Sequence, residues 1–272
     1  MAVAYYNEID PYAAQWLRNL IAAGHIAHGD VDERSIEDVK PSELVGYTQC
    51  HFFAGIGVWS HALRQAGWPD DKPVWTGSCP CQPFSAAGKG GGFDDERHLW
   101  PAFHYLIEQC KPATVIGEQV ASKDAESWLD LVQVDLEALD YAFGAVPFPS
   151  ASVGAPHIRD RAYWVGVGLA DTVVQQRPDG QPGVGDVDDA SGRIESAAAV
   201  ARLCNDLRPG PTNGFWRDAD WLLCRDGKWR PVEPSTFPLA YGATSRVGRL
   251  RAYGNAINAQ AAQIFIGAYL ES

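Results

Sequence analysis

No run of apolar residues in this 272-residue chain is long enough to span a bilayer, and the first residues lack the basic-then-apolar layout of a secretory signal. The expectation is a cytoplasmic protein with no membrane partner. Cysteine is sparse: the six residues Cys50, Cys79, Cys81, Cys110, Cys204 and Cys224 show no dense, regular spacing, so thiols are expected rather than a disulfide framework. Internal repeats are absent. Positive charge is short as well, with 22 Lys and Arg against 34 Asp and Glu and a net charge of -12. That balance argues at first against a polyanionic partner, which clustered Lys and Arg usually hold. The deficit is uneven, however. Residues 1–150 carry 9 Lys and Arg against 21 Asp and Glu, whereas residues 201–251 carry 9 against 5. The basic part is interleaved with Phe215, Trp216, Trp221, Trp229, Tyr241 and Tyr253. On charge alone it reads as a solvated surface with some core aromatics.

What is present is the composition of a folded protein, 46% hydrophobic and 21% charged, long enough for one good core. Ala2 to Ile9 is apolar and β-prone and runs into Asp10-Pro11, an N-cap followed by the residue best tolerated at the first helical position. Apolar residues then recur at Ala13, Trp16, Leu17, Leu20 and Ile21 before Gly24, the spacing of an amphipathic helix. Further strands are predicted at Tyr47–Phe53, Val74–Thr76, Thr114–Ile116, Tyr141–Val146 and Ala162–Val167, with helices at Val58–Ala66, about Leu99–Cys110 and Ala125–Leu139. Strands alternating with helices imply an α/β fold with a doubly wound, mostly parallel sheet. The pattern fails after Gly168, where residues 171–193 are rich in Gly, Pro and Asp. Three regions are therefore expected: a first domain over 1–168, a linker with a small irregular region over 169–249, and a C-terminal segment, 250–272, that returns to the first domain.

Two loops stand out. Phe52-Phe-Ala-Gly-Ile-Gly57 follows a strand and opens a helix, the context in which glycines let a backbone approach a ligand. The carboxylate for a ribose should end the next strand about 20 residues on. Only Asp70-Asp71 stands there, with no strand before it. Glu8 instead ends a strand upstream, as if the second and third strands were written before the first. Taken alone, Glu8 is better read as a surface acid or as a capping companion of Asp10.

The other loop, Gly77-Ser-Cys-Pro-Cys81, fixes a cysteine between prolines at a strand end and runs into Gly88, Gly90, Gly91 and Gly92, which could close as a lid. This suits a nucleophile that is sealed from water. A buried structural thiol pair is the more ordinary reading of cysteine. For zinc, no matching Cys or His pair lies at the required spacing. Lys89 does not complete a phosphate loop, because the order GxxxxGK[ST] is absent.

Pro80-Cys81-Gln82-Pro-Phe-Ser85 resembles the catalytic signature of the DNA (cytosine-5) methyltransferases, in a compact bacterial or phage-like form. Phe53-Ala-Gly-Ile-Gly57 resembles that family's S-adenosylmethionine loop, Glu118-Gln-Val120 its Glu-Asn-Val, His157-Ile-Arg159-Asp-Arg161 its Gln-x-Arg-x-Arg, and Gly254-Asn255 its closing element. Asn7-Glu8-Ile-Asp10 resembles the segment supplying the ribose carboxylate, and Val31-Asp32 the one whose acid meets adenine; in the usual order both follow the methyl-donor loop. Gln119 replaces Asn and His157 replaces Gln, while Glu118, Arg159 and Arg161 are retained.

The resemblance implies S-adenosylmethionine as methyl donor, a flipped-out cytosine in double-stranded DNA as acceptor, and Cys81 as the nucleophile at C6. It further implies that Glu118 bonds N3 and the exocyclic amine, that Arg161 contacts the base oxygen, and that Arg159 braces the loop or a phosphate. For the donor it assigns Phe53 to adenine, Gly55 and Gly57 to the methionine end, Glu8 to ribose, Asp32 to the adenine amine and Asn255 to the methionine side. Two other readings are a cytosine-5 methyltransferase acting on RNA and a catalytically silent DNA-binding relative. No metal is expected, and a monomer is the default.

Overall fold

A computed structural model of the chain describes residues 3–80, 99–121, 123–155, 158–169, 220–223, 229–232 and 256–272. They divide between two compact units, one formed by 1–150, 159–171 and 243–272, the other by 151–158 and 172–242.

The first unit is built on a seven-stranded sheet. Its strands are β1 (Ala4–Asn7), β2 (Gly29–Asp32), β3 (Gln49–Phe52), β4 (Val74–Gly77), β5 (Thr114–Val120), β6 (Tyr141–Pro147) and β7 (Arg161–Gly168), in the spatial order β2-β1-β3-β4-β5-β7-β6. All pairings from β2 through β5 are parallel, and β7 lies antiparallel between β5 and β6. With β3, the strand that enters the glycine loop, taken as first, β1 and β2 as second and third, and β4 and β5 as fourth and fifth, the order reads 3-2-1-4-5, the doubly wound arrangement that binds nucleotides at its carboxyl edge. The rotated strand order read from the sequence is therefore present in the sheet.

Helix α1 (Pro11–Ala22) starts where Asp10 Oδ1 accepts from the backbone N–H groups of Tyr12 (2.9 Å) and Ala13 (3.1 Å). Its buried residues Ala13, Ala14 and Leu17 face the sheet, and Leu17 clusters with Ala4, Tyr6, Ile26, Ala27 and Ala54. Helix α2 (Val58–Gln65) joins the same side, because Ser60 Oγ lies 3.0 Å from the Tyr6 hydroxyl. The opposite side carries Tyr5, Cys50, Phe52 and Trp75, packed with α3 (Trp100–Cys110) through Phe103, Leu106 and Ile107 and with α4 (Lys123–Glu137) through Trp128, Val132 and Leu136. Strands β1, β3 and β4 are buried throughout, as a parallel sheet covered on both faces requires.

Helix α5 (Ala259–Glu271) is capped by Asn258, whose Oδ1 accepts from Gln260 N (3.0 Å) and Ala261 N (3.2 Å). It packs beside α2: Gln263 Nε2 donates to Gln65 O at 3.0 Å, and Tyr269 stacks on Trp68 at 6.1 Å. In the second unit a two-stranded antiparallel ribbon pairs β8 (Asp220–Leu223) with β9 (Trp229–Val232).

Two differences from the sequence reading have physical causes. Strand β2 is an additional element; Gly-Asp-Val-Asp offers one apolar residue and no alternation, and it forms an edge. It approaches β1 so closely that a Cβ on Gly29 would stand 1.9 Å from the Ala4 carbonyl oxygen. Strand β5 runs to Val120 rather than ending near Ile116, because β7 pairs with it along its whole length. The antiparallel member, β7, accords with the mostly parallel sheet expected.

Candidate active site at the carboxyl edge of the sheet

Register sets out the site. Asp32, Asn7, Phe52, Gly77 and Gly117 lie side by side across β2, β1, β3, β4 and β5. The next residues along four of those strands are Glu8, Phe53, Ser78 and Glu118, so the chain delivers them together at the carboxyl edge. Strand β7 runs the other way, and its first residue, Arg161, therefore arrives at the same edge opposite Val120.

On the glycine-loop side, Glu8 Oε2 accepts from the Gly55 backbone N–H at 2.7 Å and Oε1 from the Asp10 N–H at 2.8 Å. One carboxylate thus ties the end of β1 to the loop after β3 and to the start of α1. Phe53, Gly55 and Gly57 have φ of 52°, 55° and 79°, a left-handed run that bends the chain sharply into α2. A Cβ on Gly57 would press on Leu17 and Ile26 at 3.0 and 3.1 Å, whereas one on Gly55 would meet nothing within 4 Å. Open space before the loop and a carboxylate at its side fit a ligand with hydroxyl groups and a cationic end. Phe53 packs edge-on against Phe103 at 6.2 Å. Ile9, the residue after Glu8, is 65% exposed and adds an apolar surface that sequence reasoning did not single out.

Asp32 has a different setting. Its carboxylate accepts from the Tyr5 hydroxyl at 2.7 Å and from Arg34 Nε and Nη2 at 3.0 and 2.6 Å. Burial raises its pKa, but the hydrogen bonds from Arg34 and Tyr5 outweigh that and bring it down to about 2. Arg34 also reaches Glu43 at 3.2 Å, so Asp32 belongs to a filled ionic cluster at the end of β2.

The second cluster centres on Glu118. Gly77 and Gly117 are register partners, and a Cβ on either would collide with an aromatic ring: Phe103 at 2.4 Å and Trp164 at 2.1 Å. These rings seat the two strands just before Ser78 and Glu118. Glu118 is 7% exposed and its Oε1 lies 2.6 Å from Arg161 Nε. Burial raises its pKa, opposed by the charges of Arg161 and Arg159 and by hydrogen bonds from Arg161 and Ser78. Arg159, with φ of 40°, sends Nη2 to the Ala256 carbonyl at 2.6 Å and so braces the segment that leads into α5. Its pKa is lowered, chiefly by burial.

Of the paired cysteines, Cys79 is 5% exposed and packs in the core, and burial raises its thiol pKa. A thiol so placed stays protonated and inert. Cys81, the lid glycines, His157 and Asn255 lie outside the described residues, as do Arg217, Arg225, Lys228, Arg246 and Arg249 of the basic segment 201–251, a candidate for DNA contact whose Arg230 lies in β9. The structure therefore brings together Glu8 with the glycine loop, and Glu118 with Arg159 and Arg161, along one edge. It adds Ser78, Trp59 and Arg34, for which the sequence held no signal. Among the described residues no group of His, Cys, Asp and Glu is arranged to hold a metal ion, and no helix is long and apolar enough to cross a membrane.

Residues 68–179 match the family model of the C-5 cytosine-specific DNA methylases, a segment that contains Cys81, Glu118, Arg159 and Arg161. Over those residues the chain is similar to the C-5 cytosine-specific DNA methylases. Two relatives accord with this: the Type II methyltransferase M.HhaI of Haemophilus parahaemolyticus, 33% identical over 47% of this chain and 51% of its own, and M.PspPI of Psychrobacter sp. (strain TA137), 29% identical over 78% and 62%. The chain thus spans less than two thirds of either relative. A solved structure, a DNMT2 mutant of Spodoptera frugiperda, is similar with a TM-score of 0.42 and 17% identity over 68% of this chain and 53% of its own. The methylase match begins at residue 68, beyond the glycine loop.

Proposed function

We propose that the protein transfers a methyl group from S-adenosylmethionine to C5 of cytosine in double-stranded DNA, through a transient bond between Cys81 Sγ and C6 of a flipped-out base. The observation that carries this reading is the buried Glu118–Arg161 pair, set beside the strand that leads through Ser78-Cys79-Pro80 to Cys81. Cys79 is withdrawn into the core, which leaves Cys81 as the thiol of this loop for chemistry.

Cytosine C5 is a weak nucleophile. Addition of the Cys81 thiolate to C6 moves electron density onto C5 and N3, and Glu118, a carboxyl group with a pKa raised by burial, supports a proton at N3 and accepts from the exocyclic amine. Arg161 holds the Glu118 carboxylate in place and offers its remaining N–H groups to the base oxygen. S-adenosylmethionine supplies the electrophilic methyl group that C5 takes up. Loss of the C5 proton to a base then lets the C6–S bond break, returning the thiolate and releasing 5-methylcytosine.

For the donor, Glu8 would accept from ribose hydroxyls, Phe53 and Ile9 would flank adenine, and Gly55 and Gly57 would admit the methionine end, with Asn255 ordering its far side. The ionic cluster at Asp32 already holds Tyr5 and Arg34, so an adenine amine would have to share it. Residues 201–251, with 9 Lys and Arg against 5 Asp and Glu, would contact DNA, phosphates supplying affinity and a few base edges the choice of sequence.

The test uses duplex DNA carrying 5-fluorocytosine in mixed contexts, with S-adenosylmethionine and either the native protein or Cys81→Ser. Fluorine at C5 blocks the final elimination, so the native protein alone should form an adduct stable to denaturant. Absence of an adduct on DNA holding all short contexts, from a protein shown to bind S-adenosylmethionine, would sink the proposal. A parallel arm with 5-fluorocytosine RNA separates the two nucleic acids.

A further inference from the structure

We infer that Ser78 is a positioning residue for Glu118: its hydroxyl, held by the Trp59 indole, directs its one proton onto the Glu118 carboxylate and fixes the orientation in which that carboxylate meets the base. The inference rests on the methyl-transfer reading above and adds a residue to it.

Directionality follows from donor chemistry. An indole N–H can only donate, and Trp59 Nε1 lies 3.0 Å from Ser78 Oγ. Ser78 Oγ therefore accepts from Trp59, and its own proton is free for Glu118, its neighbour across the parallel pair β4–β5, each one residue past the register partners Gly77 and Gly117. Arg161 Nε holds Oε1 of the same carboxylate at 2.6 Å. Two donors from different elements, the end of β4 and the start of β7, thus define the carboxylate plane. A single contact would leave it free to rotate.

The relay is anchored at its far end. Trp59 is 4% exposed and meets Tyr163 edge-on at 6.0 Å, and Tyr163 is the register partner of Glu118 on β7. Trp59 sits in the first turn of α2, two residues after Gly57. A continuous path consequently runs from the glycine loop through Trp59 and Ser78 to Glu118, joining the two halves of the site. Among the described residues, the charged and titratable groups facing Glu118 are Arg161, Arg159 and Tyr163. Removal of the Ser78 hydroxyl leaves all three in place and takes away one neutral donor.

The experiment follows the Glu118 side-chain carboxyl carbon by 13C NMR through a pH titration of the full-length protein, with the resonance assigned by its loss in Glu118→Gln. Loss of a hydrogen bond to a charged acceptor should move the Glu118 midpoint up by about one pH unit in Ser78→Ala. Ser78→Thr, which keeps the hydroxyl, should hold the native midpoint, and Trp59→Phe should give a smaller upward shift by freeing the serine rotor. The corresponding limb of the kcat profile on DNA should move with the NMR midpoint in Ser78→Ala, with KM for DNA unchanged. Superimposable titrations of native and Ser78→Ala proteins would overturn the inference. Failure of the methyl-transfer reading shows separately, as native protein that neither methylates nor forms the 5-fluorocytosine adduct, while the carboxyl titration still tests the relay.

Discussion

At Gly77 and Gly117 the site depends on missing atoms. Each glycine lets an aromatic ring approach the strand closely, Phe103 at one and Trp164 at the other, and each is followed directly by a residue of the Glu118 cluster. Gly117→Ala would drive a methyl group into a buried indole, and overpacking of this kind costs about 1–3 kcal/mol. Thermal unfolding should show that loss, and methyl transfer should fall further than stability accounts for, because Glu118 is displaced from Arg161. Glu118, Arg159 and Arg161 were legible in the sequence as charged residues within short motifs. Ser78 was not, because a serine carries meaning only through the indole and the carboxylate that reach it, and those come from positions 59 and 118.

Elements were legible where local chemistry set them. Asp10-Pro11 marked the start of α1, and Gly24 and Gly67, with φ of 73° and 82°, marked the ends of α1 and α2. Strand β2 escaped because its partner, not its composition, makes it a strand. The junction of β1 with α1 carries two acids of distinct duty, Asp10 on the helix and Glu8 on the glycine loop. Asp10→Ala should lower stability by about 1 kcal/mol as an N-cap loss, with donor binding intact. Glu8→Ala should instead weaken S-adenosylmethionine by about tenfold or more, the loss of one charge-assisted hydrogen bond, as read by isothermal calorimetry. Equal affinity in Glu8→Ala and native protein would remove Glu8 from the donor site.

At the scale of the whole molecule, His51 governs acid stability. It lies wholly inside the sheet, stacked on Tyr6 at 4.9 Å, with Nδ1 2.8 Å from Thr76 Oγ1, and burial lowers its pKa to about 3. An unfolded histidine titrates near ~6.5. Below that pH the unfolded chain takes up a proton that the folded one refuses, so this contribution is complete above ~6.5 and is lost as pH falls toward about 3. Asp32, lowered to about 2, adds a second loss that begins only below ~4. Melting temperature against pH should therefore decline in two stages. His51→Gln should flatten the upper stage and leave the lower one.

The rotated strand order also bears on how the sheet comes into being. A ribosome delivers β1 and β2 as a first parallel pair, and β3, β4 and β5 then each emerge next to the strand most recently laid on that side. The sheet can grow outward in one direction, like a fabric woven from its selvedge. In the unrotated arrangement the first-made strand must wait at the centre, with one side open until the fourth arrives. Here the central strand, β3, meets a finished neighbour, β1, as it leaves the tunnel, and β4 and β5 then each cover the edge left by the strand before them.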